Sequence, residues 1–111
     1  MLLDVTVLLQ SCGGDEDFAR ELFGEYHQRV TELVVSMREA YAGQQIEEVR
    51  KAAHELKGSS LTLGASEMAQ VSRTIEDGCK AGETGSLGDW LLNLEEQSRL
   101  LFEHLKGIGY L

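Results

Sequence analysis

The chain contains no proline. Proline removes a backbone donor and clashes inside a helix, so its absence permits long uninterrupted helices. Cysteine is scarce: Cys12 and Cys79 lie far apart and in no ligand-like spacing. They read as two reduced thiols rather than a disulfide framework or a metal site. Basic residues are outnumbered, with 10 Lys and Arg against 19 Asp and Glu and a net charge of -9. Such a balance repels polyanions and argues against nucleic acid and anionic membrane as general partners. No apolar run approaches the ~18 residues of a membrane span. The start, Met1-Leu2-Leu3-Asp4, lacks the basic region and long apolar stretch of a signal peptide. A cytoplasmic, soluble chain is therefore expected. No stretch alternates apolar and polar residues for long, which excludes a strand-based fold.

What is present is helical periodicity over 111 residues, read as one domain spanning 1–111. Leu2, Val5, Leu8 and Leu9 suggest a short first helix, closed by the breaker pair Gly13-Gly14. Asp15, Glu16 and Asp17 place acid at the start of the next helix, where the macrodipole favours it. That helix carries Phe18, Leu22, Tyr26, Val30, Leu33, Met37 and Tyr41, ending near Ala42 with Gly43 as its stop. Ile46, Val49, Ala53, Leu56, Ser60 and Leu63 define the third helix, ended by Gly64. Ser66 is the expected N-cap of a fourth, carrying Met68, Val71, Ile75 and Cys79 up to Gly82. Ser86 with Asp89 forms a capping-box variant before Leu87, Leu91, Leu94, Leu101 and Leu105, and the last helix frays at Gly107. One short and four long amphipathic helices with short loops predict an all-α, antiparallel bundle.

The third helix carries the chemistry. At about 100° per residue, His54 falls about 130° from the centre of the apolar set, on the outer face. Arg50, Lys51, Lys57, Gly58 and Leu61 share or flank that face, so a local basic patch surrounds a histidine in an acidic chain. Gly58 stands one turn after His54, nearly opposite the core. A mid-helix glycine costs about 1 kcal/mol relative to alanine. A close approach of another molecule to the backbone beside His54 would offset that cost. Neutral imidazole is a good nucleophile near pH 7. A phosphoryl group added to it brings negative charge, and Lys57, three residues on, can reach over the same turn. On the wheel alone, a solvated surface histidine is the stronger reading.

The run Ala53-His54-Glu55-Leu56-Lys57-Gly58-Ser59-Ser60-Leu61-Thr62-Leu63-Gly64-Ala65 resembles the motif A-H-x-L-K-G-S-S-x-x-L-G-A of histidine-containing phosphotransfer (HPt) domains. The resemblance extends more loosely over nearly the whole chain. It implies an antiparallel four-helix bundle with a short extra N-terminal helix. It also implies a phosphorelay intermediate, phosphorylated on Nε2 of His54 by a receiver-domain aspartate and dephosphorylated by another receiver. Lys57 would sit near the phosphoryl group, and Gly58 would admit the receiver, with Arg50, Lys51 and Leu61 around the docking face. Receiver domains of response regulators or hybrid kinases are the implied partners of a monomeric chain. They would supply the Mg²⁺, so no metal, cofactor or nucleotide of its own is expected. Some members carry a glutamine on the following helix that orients the histidine. Here Glu76 falls in that register, predicting a contact that is weaker, water-mediated, or repulsive once His54 is phosphorylated.

Three other classes do not fit the residues. A di-iron bundle needs Glu-x-x-His pairs, but Gly24, Lys51 and Leu101 stand three before the histidines. A zinc site from His27, His54 and His104 has no supporting spacing. A self-contained kinase lacks any phosphate-binding loop. The remaining alternatives are a purely non-covalent helical interaction module and the phosphoacceptor domain of a chemotaxis-type kinase. Ser59-Ser60 and Leu63 favour the phosphorelay branch over the latter.

Overall fold

The structure, a computed structural model, describes Gln10 and residues 13–111. The short first helix expected over Leu2–Leu9 lies outside the described residues. Four helices follow: α1 (Glu16–Ala42), α2 (Ile46–Thr62), α3 (Ser66–Ala81) and α4 (Leu87–Gly107). Among the described residues there is no strand. The helices pack in a ring, α1 against α2 and α4, and α3 against α2 and α4. Along α1 and α2, rising numbers meet falling ones: Tyr26 faces Ser60 and Arg29 faces Glu55. The same holds for α1 and α4, where Tyr26 stacks edge-on with Phe102 and Arg38 pairs with Glu95.

The core explains why α1 runs for 27 residues as one helix. Its buried positions are Ala19, Phe23, Tyr26, Val30, Leu33, Met37 and Ala40. These steps of four and three repeat every 3.5 residues, the spacing that keeps one stripe facing its neighbours under a gentle left-handed supercoil. The expected stripe is corrected at both ends. Phe18 and Tyr41 are exposed, and the small residues Ala19 and Ala40 take their places inside. A size-weighted reading favours the aromatic neighbours, whereas close helix packing favours the alanines. In α2, Val49, Ala53, Leu56 and Ser60 are buried as expected, with Leu63 just beyond the helix end. All five expected leucines of α4 are buried.

The helix ends also depart from expectation in instructive ways. Asp15 is the N-cap of α1, its Oδ1 accepting from the backbone N–H of Asp17 and Phe18 at 3.0 and 3.1 Å. α3 begins at Ser66 itself with Ala65 in the cap position, and Ser86 caps α4 without a side-chain hydrogen bond. At the end of α1, Gly43 is not the left-handed residue; Gln44 is, at φ 58°. Gln44 N–H donates to Tyr41 O and Gln45 N–H to Ala40 O, the paired bonds of a Schellman stop.

One buried polar contact ties α1 to the helix that carries His54. The Tyr26 hydroxyl lies 2.6 Å from Ser60 Oγ, both inside the bundle. Burial pushes the Tyr26 phenol up to about 12, against the opposing effect of the Ser60 hydrogen bond. Ser60 thus serves as a polar partner inside an otherwise apolar stripe. Ser60→Ala alone should cost about 1–3 kcal/mol, because it strands a buried hydroxyl. Ser60→Ala combined with Tyr26→Phe should recover much of that loss. Denaturation midpoints of the two single variants and the double variant check the cycle; strict additivity would mean the bond couples nothing.

Candidate functional site

His54 lies mid-way along α2, where core-facing Ala53 and Leu56 turn its side chain away from the bundle axis. The imidazole is 65% exposed, yet one edge is held. Its Nδ1 lies 2.6 Å from Oε2 of Glu76 on α3. Glu76 has no exposed surface. It reaches this position because α3 buries Val71, Ser72, Ile75 and Glu76 on the side facing its neighbours. The other carboxylate oxygen, Oε1, accepts from Lys57 Nζ at 2.5 Å. Lys80, one turn beyond Glu76 on α3, places its Nζ 3.5 Å from Oε2.

Burial opposes a charge on Glu76. Hydrogen bonds from Lys57 and His54, with the charges of Lys57 and Lys80, outweigh it and hold the carboxyl at about 2. An ionised carboxylate accepts and never donates. Nδ1 of a neutral His54 must therefore carry the proton, which leaves the lone pair on Nε2. Nucleophilic nitrogen and exposed ring edge coincide. An amide at position 76 could present either oxygen or nitrogen and would fix the tautomer less firmly.

This corrects the expectation for Glu76: the contact is direct and short, neither weak nor water-mediated. Local cations allow it, since Lys57 and Lys80 compensate the charge that would otherwise repel. The picture of an open basic patch also changes. Arg50 is half-buried and forks onto Glu47 of its own helix, with Nε 2.9 Å from Oε2. Lys51 is exposed and pairs with Glu48 at 3.5 Å. Lys57 is half-buried on Glu76. Each expected cation is thus already matched by an acid on α2 or α3. Glu55, next to His54, is clamped by both Arg29 Nε and Nη2 at 2.5 and 2.7 Å, fixing the α1 edge of the site.

Gly58 lies one turn on, and a Cβ built there would meet no atom within 4 Å. Leu61, a turn further, is exposed. The surface beside His54 is therefore open at these two positions. Among the described residues, no group of three His, Cys, Asp or Glu side chains is arranged to hold a metal ion. No helix among them is long and apolar enough to cross a membrane.

The family model of the Hpt domain matches residues 21–106, and the chain belongs to that family of phosphocarriers in phosphorelays. In three dimensions the chain is similar to the crystal structure of histidine-containing phosphotransfer protein B (HptB) from Pseudomonas aeruginosa PAO1. The TM-score is 0.90 at 23% sequence identity, over 96% of this chain and 92% of that one. This likeness defines the fold. No curated protein matches the chain at a significant level.

The electrostatics of Glu76 carry a test. Its carboxyl is depressed from 4.5 to about 2. A depressed carboxyl contributes stability that is present above about pH 4.5 and is lost as pH falls through about 2. Glu76→Gln removes that contribution and leaves Lys57 unpaired, so the variant should be less stable at pH 6. The gap in melting temperature should narrow steadily between pH 4.5 and 2.5. A gap independent of pH would mean that Glu76 is not ionised in the folded state.

Proposed function

We propose that the chain accepts a phosphoryl group on Nε2 of His54 from a receiver-domain aspartate and passes it to a second receiver. The observation that carries this reading is the His54–Glu76 pair: an imidazole locked at Nδ1 by a buried carboxylate and open at Nε2. A surface histidine in a merely solvated face needs no such lock.

The Nε2 lone pair attacks phosphorus in line with the P–O bond to the donor aspartate. That bond breaks, and its electrons leave with the aspartate carboxylate. The Nδ1 proton stays between the ring and Glu76, whose negative charge balances the positive charge arising on the imidazole. Reversal on a second receiver returns the neutral ring. Preorganised charge that matches charge developing in the transition state is a strong form of electrostatic assistance. On this reading Mg²⁺ and the aspartate belong to the receiver, and the chain acts as a carrier without ATP chemistry. It works as a cytoplasmic monomer whose docking face centres on His54, Gly58 and Leu61, flanked by Arg50 and Lys51.

His54→Gln should retain its helical circular dichroism and gain no phosphoryl mass from a phosphorylated receiver with Mg²⁺. Retained labelling would move the site to another residue; no labelling of the wild type by any receiver would favour a non-covalent interaction module. Gly58 separates stability from docking. Gly58→Ala should raise stability by up to about 1 kcal/mol while slowing transfer. Gly58→Arg should slow receiver transfer far more than it slows labelling by phosphoramidate, a small donor indifferent to bulk beside the ring. Equal transfer by Gly58→Arg and wild type would place the docking face elsewhere.

A further inference from the structure

The charges around His54 divide unequally between Glu76 and whatever arrives on Nε2. Among the described residues, Glu76 has three ion-pair partners: His54, Lys57 and Lys80. Lys57 gives Oε1 a contact of 2.5 Å and is only 22% exposed, so its charge is spent on the buried carboxylate. Withdrawing it would leave Glu76 buried and undercompensated, a costly state. Lys80 differs on both counts. Its Nζ stands 3.5 Å from Oε2, the oxygen that also holds the imidazole, and its side chain is 54% exposed. It is held at longer range, reaches solvent and lies one carboxylate oxygen away from His54. Arg50 and Lys51 are paired with Glu47 and Glu48. Arg73, one turn before Glu76 on α3, lines the neighbouring hollow with Lys57 and Leu61 and, among the described residues, makes no ion pair with Glu76.

We propose that Lys80, rather than Lys57, is the cation that binds the phosphoryl oxygens during transfer, while Lys57 holds Glu76 ionised and in place. This rests on the reading of His54 as phosphoacceptor. When the phosphoryl group reaches Nε2, the Lys80 ammonium exchanges its long contact with Oε2 for a phosphoryl oxygen, and Glu76 keeps Lys57 and the Nδ1 proton. The site then meets the incoming charge without uncovering its buried carboxylate. Lys57 is a positioning residue in this scheme.

The test is single-turnover transfer from a phosphorylated receiver with Mg²⁺, measured against receiver concentration for wild type, Lys80→Ala, Lys80→Arg, Lys57→Ala and Arg73→Ala. Thermal stability is recorded for each. Lys80→Ala should lower the melting temperature less than Lys57→Ala does and lower the limiting rate about tenfold, the scale of one charge-assisted contact. The half-saturating receiver concentration should change little, and Lys80→Arg should restore most of the rate. Lys57→Ala should lose stability as well as rate. An unchanged limiting rate in Lys80→Ala overturns the proposal. So does a loss confined to half-saturation, which would make Lys80 a docking charge, or a larger rate loss in Arg73→Ala than in Lys80→Ala. Labelling of wild type by phosphoramidate separates the two levels. If the wild type takes up no phosphoryl group from either donor, the phosphoacceptor reading fails and this assignment falls with it; if it does and Lys80→Ala behaves as wild type, only the role of Lys80 fails.

Discussion

A carboxylate with no exposed surface, placed between two helices and ionised there, is the constraint on which the site depends. Glu76 needs two strong donors to remain charged, and it has them in Lys57 on one oxygen and His54 on the other. Each donor is fixed in turn by the same carboxylate. The lysine is held down against the bundle, and the imidazole is held at one edge, with its tautomer set by an acceptor that cannot donate. Side-chain orientation and nucleophile identity thus follow from one buried charge. The arrangement is conditional: without the lysine, burial would drive the carboxyl towards its neutral form, and the lock on Nδ1 would loosen.

The fold supplies the distance at which this works. α2 and α3 join through the three residues 63–65, turned at Gly64 with φ 75°. Short loops keep sequence neighbours adjacent in a bundle. The buried bond between Tyr26 and Ser60 and the clamp of Arg29 on Glu55 tie α2 to α1 on its other side. On the far side, α3 meets α4 where Gly78 leaves room for the Trp90 ring; a Cβ there would lie 2.3 Å from the indole. His54 therefore stands on a helix braced from both sides, while its own outward face, through Gly58 and Leu61, is left bare.

Much of this was legible in the sequence. Helix positions followed from periodicity, and the α2 stripe of Val49, Ala53, Leu56, Ser60 and Leu63 fixed which side His54 faces. The glycine stop at Gly82 was also plain. What escaped was of two kinds. Small residues compete poorly with aromatic neighbours in a pattern reading, so Ala19 and Ala40 yielded to Phe18 and Tyr41 although tight packing selects the alanines. Pairing between helices was the second kind. The wheel places Glu47 and Glu48 within reach of Arg50 and Lys51 on the same helix, but says nothing of the acid on the next helix that meets Lys57. Packing buries Glu76, a glutamate in the second half of α3, completely. Its register opposite His54 was visible; the strength and directness of the contact came only with Lys57 and Lys80 beside it.

The central claim, that Glu76 holds the His54 proton on Nδ1 and leaves Nε2 as the free nucleophile, has a direct test. Long-range ¹H–¹⁵N correlation spectra of the ¹⁵N-labelled chain, taken at a pH where the ring is neutral, distinguish the two tautomers by the ¹⁵N shifts of its nitrogens. The His54→Gln spectrum assigns the signals. The account predicts a protonated Nδ1 and an unprotonated Nε2 for His54 in the wild type, with the preference weakened in Glu76→Gln. A wild-type spectrum with the proton on Nε2 would contradict it, because the nitrogen open to a donor would then carry no lone pair with which to attack.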